Sequence, residues 1–498
     1  MSLTDSEMID NLLNRTGGNS KFEDQQPLYI NDMNQGSYTN PIKFSTLTWL
    51  DNWMAYPKLY ANIPLSASAT GTTAAFLTAG LISVKAGGAN EIDKYFPSVA
   101  KVTLKNGLYS LVNSLNIKLN GNTIQNSQDL HLMNNITALT QWSKDYAESS
   151  GMLHHFAKDT NNVNDAVNYG FVDRCELTNY DVLVTQAGPN GICTLTVDFS
   201  VNIHFSIISD FFEQLGMPLK NSLFEIAMTL NGLDKGSGSG QDWDCLAIST
   251  AMKTAFGGQS MKLKIGNRRE AICKLYCPQV TFTVSDALEL DKLLTNQEYQ
   301  KTIVWQDAVV VKNTQTDTSE NVSMLLTPSI RRPLKLWSYF VAKSSAGASL
   351  SKEQTVPYPF ITNKGLKSHV APLLASEKGV ILTNANLRVD STKLYQGNVE
   401  SQYEFYEMLR NQTQAASDDK QIGSLISLRD FHNHYNFYCF DLTRTAYKIT
   451  DKPVGLEFIG KKVNPTVPTD LYHIIVCETV TVINFVSGDV KIRNVSAQ

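Results

Sequence analysis

Two stretches of this chain resemble each other on either side of a flexible midpoint, and that internal repeat limits the folds open to it more than any other feature. Residues 231–241 read Asn-Gly-Leu-Asp-Lys-Gly-Ser-Gly-Ser-Gly-Gln, a Gly/Ser run. Before and after it, short runs rich in Val, Ile, Thr, Tyr and Phe alternate with Gly, Asn, Ser and Asp turns, the pattern of β-strands. Placing Ile117 on Leu387, a shift of 270 residues, also brings Lys118 onto Arg388, Leu119 onto Val389, Asn120 onto Asp390 and Ile124 onto Leu394. The same shift sets Met133, Ile136 and Leu139 on Tyr403, Tyr406 and Leu409, so in each half a strand leads through a polar turn into an amphipathic helix. Farther on, a shift of 232 matches Phe205 with Phe437 and Glu225 with Glu457. The two shifts differ by 38 residues, which places an insertion at Ser149–Gly191 of the first half, read as a long polar loop. Repeated blocks in one order mark two related domains in tandem.

The domain type follows from what must be covered. A sheet of about eight strands needs its apolar face buried, and a second sheet is the usual cover. Long connections that hold helices fit a jelly roll better than an up-and-down barrel. Asn120-Gly121, after the alternating Leu115–Leu119, is a hairpin signal. The chain is therefore expected to be all-β, with two tandem jelly-roll β-sandwich domains, short helices in the loops and an N-terminal arm. The expected division is an arm at 1–40, a first jelly roll at 41–235, a linker region at 236–260 and a second jelly roll at 261–498. Within the arm, Thr4 and Glu7 have capping-box spacing for a short helix, followed by a polar tether.

Charge bears on partners. The 498 residues carry 43 Lys+Arg and 47 Asp+Glu, a net charge of −4. Residues 1–40 hold Arg15 and Lys21 against Asp5, Glu7, Asp10, Glu23, Asp24 and Asp32, so the whole excess lies in the arm. Coats that condense RNA directly use basic arms to neutralise phosphate, and this arm would repel it. Charged residues make up 18%, below the roughly 25% of typical soluble domains, which suits a surface buried against copies of itself. No apolar stretch reaches the roughly 20 residues of a membrane span, and Met1–Glu7 lacks the features of a secretory signal.

Catalytic, metal and cofactor chemistry find no clear carrier. There is no phosphate-cradling GxxxxGK[ST] loop and no GxSxG nucleophile elbow. His154-His155 reads as a solvated loop pair, and His432 and His434 as the outer face of an aromatic strand. The seven cysteines are scattered. Cys273 and Cys277 have no second ligand pair, so they read as small buried hydrophobes. Asp291-Lys292 and Asp418-Asp419-Lys420 read as solvated charges. Arg268-Arg269 and Arg331-Arg332 are basic spots able to meet phosphate or a neighbouring subunit's carboxylate. No catalytic, cofactor-binding or metal residue is assigned, and the weight falls on a structural role rather than an enzyme.

Several blocks carry a family resemblance. They are Ser114–Gly121 with the helix to Trp142; Asp210–Phe212 through Met217-Pro218-Leu219 to Leu223–Ile226; Thr327–Trp337 leading to Pro357–Phe360; Thr383–Val389 with Tyr403–Leu409; and Phe437–Leu442 with Val480–Val490. In order and spacing the chain resembles the double jelly-roll major capsid proteins of virophages, polinton-like viruses and related double-stranded DNA viruses. The resemblance implies a virion protein, assembled inside the host cell, that forms homotrimers of pseudo-hexagonal outline tiling an icosahedral shell. It further implies neighbouring capsomers and minor capsid or penton proteins as partners, with no direct sequence-specific nucleic-acid contact. The arm would lie on the inner side, and the 149–191 insertion would be an outward tower or an intersubunit clasp. The alternative is a viral carbohydrate-binding or adhesion protein on the same scaffold, with Trp142 or Tyr395 stacking on sugars.

Overall fold

The computed structural model describes residues 22–493 except 39–40, 86–91, 97–100, 106, 159–168, 178–180, 188–190, 234–244, 257–260, 285, 289–291, 293–299, 316–319, 343–380, 413–424, 429–430, 432–436, 444–452, 464–468 and 485–489. Sixteen strands build two sandwiches. In the first they are β1 (Phe22–Asn31), β2 (Ile42–Ser45), β3 (Tyr60–Thr72), β4 (Val112–Leu119), β5 (Asn122–Ser127), β6 (Ile192–His204), β7 (Phe224–Leu230) and β8 (Lys274–Phe282). In the second they are β9 (Gln300–Gln315), β10 (Asn321–Ile330), β11 (Pro333–Ala342), β12 (Ile381–Val389), β13 (Thr392–Lys393), β14 (Phe437–Asp441), β15 (Val454–Val463) and β16 (Thr469–Asn484).

The first sandwich stacks a sheet of order β1-β8-β3-β6 on one of order β2-β7-β4-β5. The second stacks β9-β16-β11-β14 on β10-β15-β12-β13. Adding eight to every strand of the first sandwich reproduces the second. These interleaved orders, with antiparallel pairs throughout, are jelly rolls. Short strands extend the first sheets: Asp181–Ala187 pairs with β6, and Lys262–Ile265 with β3. In the second roll Val490–Arg493 pairs with β16.

Alternation selects which face goes inward. In β3, Ala61, Ile63, Leu65 and Ala67 are fully buried, while Tyr60, Asn62, Ser66 and Ser68 point the other way. In β7, Phe224, Ile226 and Met228 are buried and face the first sheet's core. The β4–β5 hairpin turns at Asn120-Gly121, where φ is +48° and +81°, the left-handed pair that a two-residue hairpin needs.

The repeat seen in the sequence reappears at this turn. Lys118 lies across from Glu225, and Arg388 across from Glu457 with an Nη1–Oε2 distance of 3.1 Å. Asn120 Oδ1 accepts the Leu223 N–H at 2.9 Å, and Asp390 Oδ1 accepts the Gly455 N–H at 2.7 Å. The shift of 270 on one strand and 232 on its partner thus aligns one interlocked unit with the other. The match of Phe205 with Phe437 is corrected. Phe205 N–H donates to Leu59 at the start of β3, and the group that does this at the start of β11 is Leu442, donating to Leu334. Phe437 instead opens β14, opposite Tyr339.

The strand pairing also moves the expected boundaries. Part of the 1–40 arm is β1, which pairs with β8 from Phe22↔Phe282 to Asn31↔Lys274. Asp32, counted among the arm's acids, is buried and accepts the Cys273 N–H at 2.7 Å and the Tyr38 hydroxyl at 2.5 Å. The first roll therefore runs past 235 to residue 282, and the Gly/Ser segment lies inside it, between β7 and β8, rather than between domains. Residues 1–21, with the Thr4/Glu7 capping box, fall outside the described residues. The 149–191 insertion is built rather than a plain loop: it holds a helix at Tyr169–Leu177 and the strand Asp181–Ala187 that widens the first sheet.

Candidate assembly interface

The two rolls are joined by elements that leave one sandwich and enter the other. Strands β9 and β16 are each 16 residues long, well beyond the usual five or six, and pair along their full length. Their far ends reach the first roll, where Ile303, Trp305 and Ile483 share one buried cluster with Leu130, Phe211 and Phe224. Trp305 meets Phe211 edge-on at 6.0 Å between centroids, and its indole N–H donates to Thr481 Oγ1 at 3.0 Å. In the other direction, helix α1 (Leu130–Gln141) of the first roll sends Leu132, Ile136 and Leu139 into the second roll's cluster. The Leu425 N–H then donates to the Leu139 carbonyl at 3.1 Å.

Polar groups in this seam are matched across it. Helix α2 (Asp210–Leu215) begins with Asp210, whose Oδ2 accepts the backbone N–H of Gln306 at 2.6 Å, so a donor on the edge strand β9 is satisfied by the other roll. Asp307 Oδ1 accepts the Ser127 hydroxyl at 2.7 Å and the Ala308 N–H at 2.9 Å. Gln125 Nε2 lies 3.5 Å from the same oxygen, and its Oε1 accepts the Ser209 hydroxyl at 2.6 Å. A cavity of about 250 Å³ opens beside them, lined by Gln125, Met133, Asn134, Asp210, Glu213 and Asp307 among others. Burial pushes the Asp307 carboxyl above the usual carboxylate range, against the hydrogen bonds from Ser127, Ala308 and Gln125. Glu213 is also pushed up, by burial first and then by Asp210. The chemistry on offer is a packed joint with carboxyls at its centre, Asp307 and Glu213 both held above the usual range.

The residues picked out in the sequence land elsewhere. His154 and His155 are not solvated: His154 is buried with its ring 5.3 Å from that of His204, and burial lowers its pKa to about 4. Burial lowers His155 as well. Cys273 and Cys277 are both buried on or beside β8, and burial pushes the Cys273 thiol up to about 12. Arg268 pairs with Asp198 at 2.5 Å and Arg269 with Asp181 at 3.3 Å, so both meet carboxylates of their own chain. Arg332 pairs with Glu478 at 2.8 Å. Trp142 packs edge-on against Tyr146 and Phe156, and Tyr395 is mostly buried with its hydroxyl pushed up to about 12, so neither presents an open ring for a sugar. Asp291, 418–420, His432 and His434 lie outside the described residues. Among the described residues no group of three or more His, Cys, Asp or Glu side chains is placed to hold a metal ion, and no helix is long and apolar enough to cross a membrane.

The seam leaves little trace in the local sequence. One signal was present: Asp307 is a lone acid in the apolar run Ile303–Val311, and a carboxylate set in an apolar strand asks for hydrogen-bonding partners.

No family model matches the chain, and no curated protein matches it. Solved structures do. A chain of the Sputnik virophage, solved by cryo-EM, is similar over 100% of this chain and 94% of that one, with a TM-score of 0.55 at 11% identity. A chain of the PBCV-1 virus capsid quasi-atomic model is similar over 97% of this chain and 100% of that one, with a TM-score of 0.49 at 9% identity. The virophage likeness spans both sandwiches and the seam between them. With the two matching strand orders and the repeated turn, it makes this chain a double jelly-roll protein.

Proposed function

We propose that the chain is a major capsid protein, a structural subunit of a virion that trimerises into pseudo-hexagonal capsomers and tiles an icosahedral shell. One observation carries this proposal: a single chain holds two jelly rolls of identical strand order, fused by a buried seam. Three such chains present six similar units around an axis, and closed symmetry lets each patch meet a copy of its partner. The similar virophage chain belongs to a virus particle, and a low charged fraction of 18% suits a surface largely buried on assembly. The partners are further copies of this chain and, at the shell's special positions, minor capsid or penton proteins. Light scattering tests the proposal. A mass of three times 55.3 kDa, held across a wide concentration range, supports it, and a strict monomer at every concentration overturns it.

A further inference from the structure

The seam inside one chain and the repeat of its two halves together specify a contact between chains. The sheet β9-β16-β11-β14 has an inner face, marked by Tyr438, whose hydroxyl accepts the Leu382 N–H of the facing sheet at 2.9 Å, and by His473, packed on Phe458. Its outer face carries Tyr339 and Tyr472, stacked at 5.3 Å and 8°, with Lys312 over the Tyr472 ring. That outer face is buried. It shares one cluster with Leu132, Ile136 and Leu139 of α1, the helix that follows the β4–β5 hairpin of the first roll. Asp129, just before α1, acts electrostatically on Tyr339.

Among the described residues the first roll has the same face without a helix across it; only its His204 end is covered, by His154. On the outside of β1-β8-β3-β6, Tyr60 stacks on Tyr276 at 5.0 Å and 6°, with Tyr29 beyond at 5.4 Å from Tyr276 and His204 at 5.1 Å from Tyr60. Lys274 sits over Tyr29, as Lys312 sits over Tyr472. The row crosses four strands, and Tyr29 at its outer end is 55% exposed.

The second roll has the helix to match. Helix α3 (Gln402–Asn411) follows the β12–β13 hairpin, as α1 follows β4–β5. Helix α1 buries nine of its twelve residues, because both rolls cover it; α3 buries only Phe405 and Leu409, on its own roll. Tyr403, aligned with Met133 of α1, is 62% exposed, whereas Met133 packs against the second roll's core.

We infer that the occupant of the Tyr29–Tyr276–Tyr60 face is helix α3 of a second copy of this chain, with Tyr403 at the contact. This repeats between chains the arrangement that α1 makes within one. The interface is head-to-tail: one copy offers α3 and the next offers the tyrosine row. Such an interface closes into a ring when each step is one-third of a turn. It rests on the capsid proposal, since it names the surfaces by which that trimer closes.

Single-cysteine cross-linking tests it, because all seven native cysteines are buried and give little background. Tyr29→Cys and Tyr403→Cys chains are prepared separately, then mixed under conditions that allow exchange of subunits, and treated with a short bis-maleimide. The expected result is a cross-linked dimer in the mixture and none with either variant alone, and a ladder ending at three chains when one chain carries both changes. A trimeric wild type whose mixture gives no cross-linked dimer overturns this interface and leaves the capsid proposal standing. Cross-linking of either single variant with itself also overturns it, since that contact is two-fold. A monomeric wild type overturns both.

Discussion

Replacing Trp305 by alanine removes the largest side chain that one roll sends into the other. The residue is 1% exposed, on the reach of β9 that lies in the first roll's core. A tryptophan buries about 150–250 Å², which at about 25 cal/mol/Å² sets an upper figure of about 4–6 kcal/mol. Two further losses accompany it: the edge-on contact with Phe211, about 0.5–1.5 kcal/mol, and the hydrogen bond to the buried Thr481 hydroxyl, about 1 kcal/mol. Collapse of the surroundings recovers part, so the expected net cost is about 3–5 kcal/mol, the usual range for a buried aromatic cut to alanine. The location adds a second expectation. Trp305 couples the rolls, so the single unfolding transition expected of the wild type from this buried seam should separate into two in the variant, the first roll and the second losing structure at different urea concentrations. Urea titration followed by circular dichroism and by tryptophan fluorescence reads both effects. Trp305→Phe, which keeps most of the ring contact and loses the indole donor, should fall in between. A cost for Trp305→Ala below about 1 kcal/mol, with the transition still single, would refute the claim that this residue locks the joint.

Three further outcomes follow from particular residues. Burial raises the Asp307 pKa in the fold, so the folded chain holds a proton that the unfolded chain releases, and stability should fall as pH rises from about 4 through the folded pKa; Asp307→Asn should flatten that part of a pH–melting curve while keeping the Ser127 contact. Ser391 occupies the turn position of Gly121 with φ at +72°, so Ser391→Gly should raise stability by about 0.5–1 kcal/mol in the same urea assay, whereas Gly121→Ser, at φ +81°, should lower it. Burial holds the Cys175 and Cys273 thiols near 12 and all seven cysteines are buried, so a thiol reagent at neutral pH should label essentially none in the native protein and all seven after denaturation.

What the sequence disclosed depended on how local its cause was. The β4–β5 hairpin was legible because Asn120-Gly121 dictates its turn within two residues, and its repeat was legible because the Lys118–Glu225 and Arg388–Glu457 pairs keep their charges. Strand β1 was hidden. Its sequence, Phe-Glu-Asp-Gln-Gln-Pro-Leu-Tyr-Ile-Asn, is polar and carries Pro27, as an edge strand tolerates, and Leu28 and Ile30 are the residues it packs against the core. Its partner β8 is some 240 residues away, so no local pattern could place either strand in the first roll. The seam was hidden for the same reason. Asp210 and Gln306 meet only because two sandwiches dock, and Trp305 looks like any strand aromatic until the first roll closes over it. His154 misled because a polar surrounding sequence does not reveal burial, which here comes from Trp142 and His204.

The most direct test of two equivalent rolls per chain is the outline of the purified particle in electron-microscope class averages. Six lobes with three-fold symmetry, alternating between two slightly different shapes, are predicted. Isolated two-lobed particles, or closed rings whose lobes do not come in threes of pairs, would contradict it.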